Sequence, residues 1–176
     1  ELLNYNFEKI DFIDKPVDLG FDCPLDTYCT YTRDQLLVAM DFMKPNSMRE
    51  GVKYLPDKKV DIFMVTLNKS DKDYSPSTMY SDYSINEWLF HWQSQSTTTP
   101  ESTTGQRYIH HKERGNKLLL FVREFKNDKF GTAPYTFLGT VNYVKHEGSR
   151  PISFTFKLDL PIPAKYLKKT NKLVIG

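Results

Sequence analysis

Lys117-Leu118-Leu119-Leu120-Phe121-Val122-Arg123-Glu124-Phe125 carries five apolar residues in unbroken succession, Leu118 to Val122. A run of that length without polar interruption is the pattern of a strand buried on both faces. Two further strand signals follow it. Tyr135–Val144 is rich in aromatic and β-branched residues, and Ile152–Leu160 alternates Phe154, Phe156, Leu158 and Leu160 with polar neighbours. Upstream, Val60-Asp61-Ile62-Phe63-Met64-Val65-Thr66-Leu67 is β-branched enough for another buried strand, and Arg49–Tyr54 reads as a turn and short strand. Gly131, Gly139 and Gly148 punctuate the second half.

Helical signals are fewer. Thr32-Arg33-Asp34-Gln35 has the form of a capping box, and Leu36, Leu37, Ala39 and Met40 continue at helical spacing to about Phe42, before Lys44-Pro45-Asn46 ends the element. Ser84-Ile85-Asn86-Glu87 is a second capping box, which predicts a helical turn leading into a strand around Phe90. Ser94–Gly105, rich in Ser, Thr and Pro, is expected to project as a long loop. The expected fold is α+β: a strand-rich curved sheet or partly open β-barrel with one or two peripheral helices. No internal repeat is present.

Charge divides the 176 residues unevenly. Residues 1–30 hold seven acids against two lysines, whereas residues 105–176 hold fourteen basic against five acidic residues, a net charge of +9. The first segment reads as an acidic lead-in or interdomain linker, and 31–176 as the working domain. A basic C-terminal half is the footprint of a phosphate-contacting surface. No apolar run approaches the ~20 residues a membrane helix needs, so no membrane partner and a cytoplasmic location are expected. The chain opens on Glu1, not Met, which suggests a piece of a longer protein. Cys23 and Cys29 lack a second pair at zinc spacing and read as buried or half-buried thiols.

Recognition chemistry concentrates in Phe90-His91-Trp92-Gln93-Ser94-Gln95-Ser96 and Gly105-Gln106-Arg107-Tyr108-Ile109-His110-His111. Aromatic faces stack on flat heterocycles, while Gln and Arg present paired groups that distinguish base edges. Trp92 and Tyr108 are therefore candidate stacking platforms. Gln93, Ser94 and Gln95 are candidate base readers, with Arg107, His110, Lys112 and Arg114 as further DNA contacts. Trp88 and Phe90 are assigned mainly to the core. The four histidines read as surface or hydrogen-bonded groups rather than metal ligands, and no cofactor is called for.

Enzyme signatures are largely missing: there is no Walker loop, Gly-x-Gly-x-x-Gly, Gly-x-Ser-x-Gly or His-Glu-x-x-His. His110-His111-Lys112 begins like the His-x-Lys of phospholipase-D-type nucleases, but Lys117 stands where the Asp is required. Asp57 with Glu124-Phe125-Lys126 loosely matches the Asp…Glu-x-Lys of metal-dependent nucleases.

The stretches Arg49–Tyr54, Asp61–Ser70, Phe90–Ser96, Thr132–Gly139 and Pro161-Ile162-Pro163 together resemble the uncharacterised C-terminal domain of bacterial proteins that fuse a phospholipase-D-type nuclease to a superfamily-2 helicase. The resemblance runs from about Tyr28 to the end. Among such proteins is an ATP-dependent type IV restriction enzyme that cuts DNA containing 5-methylcytosine or 5-hydroxymethylcytosine. It implies a non-catalytic target-recognition domain whose partners are modified double-stranded DNA and the N-terminal nuclease and helicase domains of the parent chain. A flipped cytosine in an enclosed pocket, as in the SRA-like (PUA-type) barrel, is the mode of reading it suggests. A regulatory interaction module of the helicase, or a reader of another modification such as phosphorothioate, are the alternatives.

Overall fold

The computed structural model describes residues 19–45, 51–68 and 82–170. The expected opening strand within residues 2–13, and Arg49 and Glu50, lie outside them. Ten strands are described: β1 Thr30–Tyr31, β2 Val52–Leu55, β3 Val60–Asn68, β4 Tyr83–Ser84, β5 Leu89–Gln93, β6 Lys117–Phe125, β7 Asn127–Asp128, β8 Gly131–Thr132, β9 Tyr135–Glu147 and β10 Ser153–Leu158. Three short helices accompany them: α1 Arg33–Ala39, α2 Thr103–Ile109 and α3 Ala164–Thr170.

Eight strands form one mixed sheet in the order β2-β3-β6-β9-β10-β5-β4, with β1 paired to the start of β9; β7 and β8 make a separate hairpin. The sheet stays open, since β2 and β4 end it on opposite sides, so of the two expected architectures the curved sheet is the one adopted. At its centre β3 and β6 run parallel, Val60 beside Lys117 and Asn68 beside Phe125, while the other neighbours are antiparallel.

The central strands are buried on both faces, as the apolar run predicts. Phe63, Val65 and Leu67 of β3 and Leu118, Leu120 and Val122 of β6 join Phe90, Trp92, Tyr108, Phe154 and Phe156 in one core. Val60, Ile62 and Met64 of β3 and Leu119 and Phe121 of β6 meet Leu36 and Leu37 of α1 and Met40 at its C-cap in a second. The rolling that brings β3 and β5 together across the first core has a local cause in β9. The register slips opposite Leu120/Phe121, where Gly139 takes φ +90°, and again opposite Thr155/Phe156. Each extra residue bends the strand, and a positive φ in mid-strand suits glycine. Gly139 thus shapes a strand rather than separating two.

Three local expectations need correction. Ser84–Glu87 forms no helix: Asn86 Oδ1 accepts hydrogen bonds from the backbone N–H of Trp88 (2.8 Å) and Leu89 (2.9 Å), turning β4 back into β5. An Asn side chain that caps two amides locally favours a turn. The long loop from Ser94 ends early, because Ser102 caps α2 by accepting from Gly105 N at 3.0 Å, and Arg107 and Tyr108 are helical. Helix α1 forms on its capping box as expected, but stops at Ala39, with Asp41 at φ +62°. The described part of the acidic lead-in is packed into the body, with Leu19, Leu25 and Thr27 buried.

Candidate functional site

The residues singled out for recognition fall into four groups. Trp92 is 5% exposed and Tyr108 fully buried. The Trp92 ring stacks on Phe63 at 4.4 Å and meets Tyr108 edge-on at 5.6 Å, with Phe154 and Phe156 completing the cluster. Both were expected to offer a face to a base, and neither does, because their faces are consumed by core packing worth more than solvent exposure. Trp88 departs the other way: it lies outside β5 and is 38% exposed, while Phe90 is buried as assigned.

Arg107 also has a different task from the phosphate contact expected of it. Its Nε and one terminal nitrogen donate to the two carboxylate oxygens of Asp61, both at 2.9 Å, and its guanidinium lies 3.8 Å over the Tyr54 ring. The Asp61 side chain is fully enclosed and that of Arg107 is 13% exposed. Burial raises the Asp61 carboxyl above the ordinary carboxylate range, with the Arg107 hydrogen bonds and charge pulling against it. Burial works against the Arg107 charge too, but its bonds to Asp61 outweigh that and hold the guanidinium ionised. Burial and the nearby Asp61 charge push the Tyr108 hydroxyl up, so it stays protonated.

Ser94 and Gln95 are likewise engaged. Ser94 Oγ accepts from Ile152 N at 2.9 Å and fastens the end of β5 to the turn before β10. The Gln95 amide donates to Tyr108 Oη at 3.1 Å, and its carbonyl accepts from Thr98 Oγ1 at 3.3 Å. Gln93 is looser, half-buried with a 3.4 Å contact to Ser153 Oγ.

These four consecutive residues, Trp92 to Gln95, nevertheless line one cleft of ≈ 250 Å³. It lies beside Met64–Thr66 of β3, just past the start of β2, where Met64 N donates to Gly51 O at 2.8 Å, and Arg123 and Asp82 also line it. Arg123 is oriented by Thr66 Oγ1 (2.9 Å) and the Ala133 carbonyl (3.1 Å) and lies over Tyr135. Asp82, absent from the residues that the sequence singles out, is 6% exposed and accepts from Gln93 N at 2.8 Å. Only its place just before β4 and near other polar residues could have marked it. The cleft is below the usual volume of drug-sized ligand sites, and suits a small polar heterocycle.

His110, Lys112 and Arg114 are not part of it. His110 is the half-buried C-cap of α2, 3.3 Å from Glu113, while Lys112 and Arg114 follow in an exposed turn that leads into β6 beside Lys59. Six residues of strand, roughly 20 Å at ~3.3 Å per residue, separate Lys117 from Arg123. The nuclease-like set is split in the same way: Asp57 precedes β3 and Glu124 lies near the end of β6, so the parallel pairing puts them at opposite ends of the sheet. Among the described residues no group of three His, Cys, Asp or Glu side chains is placed to hold a metal ion. His111 is buried, with Nδ1 donating to Asn116 O (3.1 Å) and Nε2 accepting from Tyr143 N (3.1 Å), which fixes a neutral tautomer at the second bulge of β9. Cys23 and Cys29 are half-buried thiols that form no disulfide among the described residues.

Fold and cleft together define a non-repetitive α+β domain built on one rolled mixed sheet, with a polar recess beside the β3 edge. The chain belongs to the family described as a domain of unknown function (DUF3427), whose model matches residues 25–169. No curated protein matches it. No helix of the described residues is long and apolar enough to cross a membrane.

Proposed function

We propose that this domain is the target-recognition module of a modification-dependent restriction enzyme, with nuclease and helicase carried elsewhere in the parent chain, and that it reads 5-methylcytosine or 5-hydroxymethylcytosine as a flipped base. The observation that carries the reading is the cleft at the end of β5, which Asp82, Gln93, Gln95 and Arg123 line together with Trp92. A carboxylate accepts from the exocyclic amine of cytosine, amides pair with its remaining edge, and the apolar walls at Val52 and Val65 suit a methyl group. Trp92, instead of stacking on the base, becomes a rigid wall of the cleft, held in place by Tyr108 and Phe63. Lys112 and Arg114, exposed at the other end of β6, remain as backbone contacts within the basic half of the chain.

Binding of the chain to a short duplex carrying one 5-methylcytosine, against the same duplex unmodified, tests this at moderate salt. Tighter binding to the modified duplex that D82N or Q93A removes is the expected result, and equal affinity for the two duplexes refutes the reading. A second reading, a regulatory interaction module, is favoured by Ile85 and Trp88, 41% and 38% exposed on the β4–β5 turn. An I85S/W88S variant that keeps modified-DNA binding but no longer associates with the helicase portion of the parent chain would support it.

A further inference from the structure

Beside the cleft stands a hairpin that the cleft does not explain. Strands β7 and β8 pair Asn127 with Thr132 and Asp128 with Gly131, leaving Lys129 and Phe130 as the two-residue tip, and every residue from Lys126 to Thr132 is exposed. Phe130 is 87% exposed, the most exposed of the described large apolar side chains.

Nothing in the turn requires a phenylalanine there. Two-residue tips favour Gly, Asn and Asp, and each extra apolar ring in water is a solubility cost. The tip is nonetheless built with care. Asp128 Oδ1 accepts from Phe130 N at 2.7 Å and holds the turn, while Lys129 Nζ sits 5.0 Å from the ring centroid. At the base, Ala133 N donates to Lys126 O and Arg123 donates to Ala133 O. Arg123 therefore borders both the cleft and the recess at the foot of the hairpin.

We infer that the β7–β8 hairpin is a DNA wedge: Phe130 inserts between base pairs next to the base received by the cleft, and Lys129 meets the flanking phosphates. Apolar side chains inserted at a base step unstack it, and lysines beside the ring supply the charge that brings the tip to the duplex. The inference rests on the DNA-reading function proposed above and adds to it the element that opens the duplex. Asp128 is exposed and keeps its charge, with one carboxylate oxygen engaged by the Phe130 amide and the Lys129 charge beside it at the tip.

Duplexes carrying 2-aminopurine beside the 5-methylcytosine, titrated with the wild-type chain, F130A, F130W and K129E, provide the test. Wild type should raise 2-aminopurine fluorescence as the base unstacks. F130A should bind the modified duplex about 5- to 150-fold more weakly, the contribution of one aromatic–base stack, and give no fluorescence rise; F130W should restore both. K129E should weaken binding to modified and plain duplex alike. F130A that matches wild type in affinity and fluorescence overturns the wedge and leaves the modified-base reading intact. Loss of binding in F130A together with equal wild-type affinity for both duplexes keeps the wedge and refutes that reading. No wild-type binding to either duplex, or Phe130-dependent binding to anionic lipid vesicles in its place, overturns the wedge.

Discussion

Replacing Arg107 by Met separates an ion-pair anchor from a phosphate contact. The wild-type guanidinium gives two 2.9 Å hydrogen bonds to Asp61, whose side chain has no solvent exposure. Met preserves much of the stem's volume over Tyr54, so the dominant loss is the compensation of a buried carboxylate, about 3–5 kcal/mol. With a urea m-value of about 2 kcal/mol/M, the unfolding midpoint falls by about 1.5–2.5 M. The deficit carries its own pH signature. Burial already raises the folded Asp61 pKa above its unfolded value, and removing Arg107 takes away the group that opposes the rise. A raised folded pKa gives a contribution that is full below the unfolded value of about 4 and is lost as pH rises through the folded one, so the deficit of R107M is greatest at neutral pH and shrinks in acid. Urea titrations followed by the fluorescence of buried Trp92 read this directly, and D61N added to R107M should recover most of the loss. An R107M chain with an unchanged midpoint and reduced DNA affinity would refute the reasoning and return Arg107 to the phosphates.

Three further outcomes follow from the same packing. His111 is held neutral chiefly by burial, with Lys112 and Lys117 adding to the depression while the Asn116 carbonyl and Asp159 oppose it. Its folded pKa lies below the unfolded value of about 6.5, so stability is full above that pH and falls by up to about 1.4 kcal/mol per unit as pH drops toward the folded pKa; H111N should flatten this slope, and an identical slope in the variant would exclude His111 as its source. G105A should destabilise by about 1–3 kcal/mol, against the usual gain of Gly→Ala in a helix, because its Cβ would lie 2.1 Å from the Thr99 carbonyl oxygen; a raised melting temperature would contradict this. S102A should cost about 1 kcal/mol through loss of the α2 cap, and an unchanged denaturation curve would show the cap to be idle.

The sheet was legible where burial is two-sided. Leu118–Val122 and Val60–Leu67 announce central strands because their apolar residues dominate both faces, and Thr32 with Gln35 marks α1 because the cap is local. Ser84–Glu87 misleads because the same Ser-x-x-Glu spacing is found where Asn86 offers its neighbours' amides a cheaper turn. The site was legible as a segment and not as roles. Trp92 alternates with Gln93 in sequence, but only the rolling of the sheet at Gly139 brings Phe63 onto the Trp92 ring and turns a candidate platform into core. Arg107 looks like any loop-end arginine until Asp61, far upstream on β3, is brought beneath it. Asp82 could be recognised only after the strand pairing had carried it to Gln93.

The parallel union of β3 and β6 also governs how the molecule is made. Val60 pairs with Lys117 across more than fifty intervening residues, and β4, β5 and α2 all lie within that excursion. The β5–β10 and β1–β9 pairings, Leu89 with Lys157 and Thr30 with Thr136, span more chain still, and contacts of such separation form late and slowly. Lengthening the excursion alters stability little, since each doubling of a loop costs only about 0.6 kcal/mol. Until it closes, two unpaired strands rich in Val, Ile, Leu and Phe wait for each other, the kind of surface on which nascent chains aggregate. Substitutions in the recognition segment, inside that excursion, are thus expected to show first in the yield of soluble protein, ahead of any loss of binding.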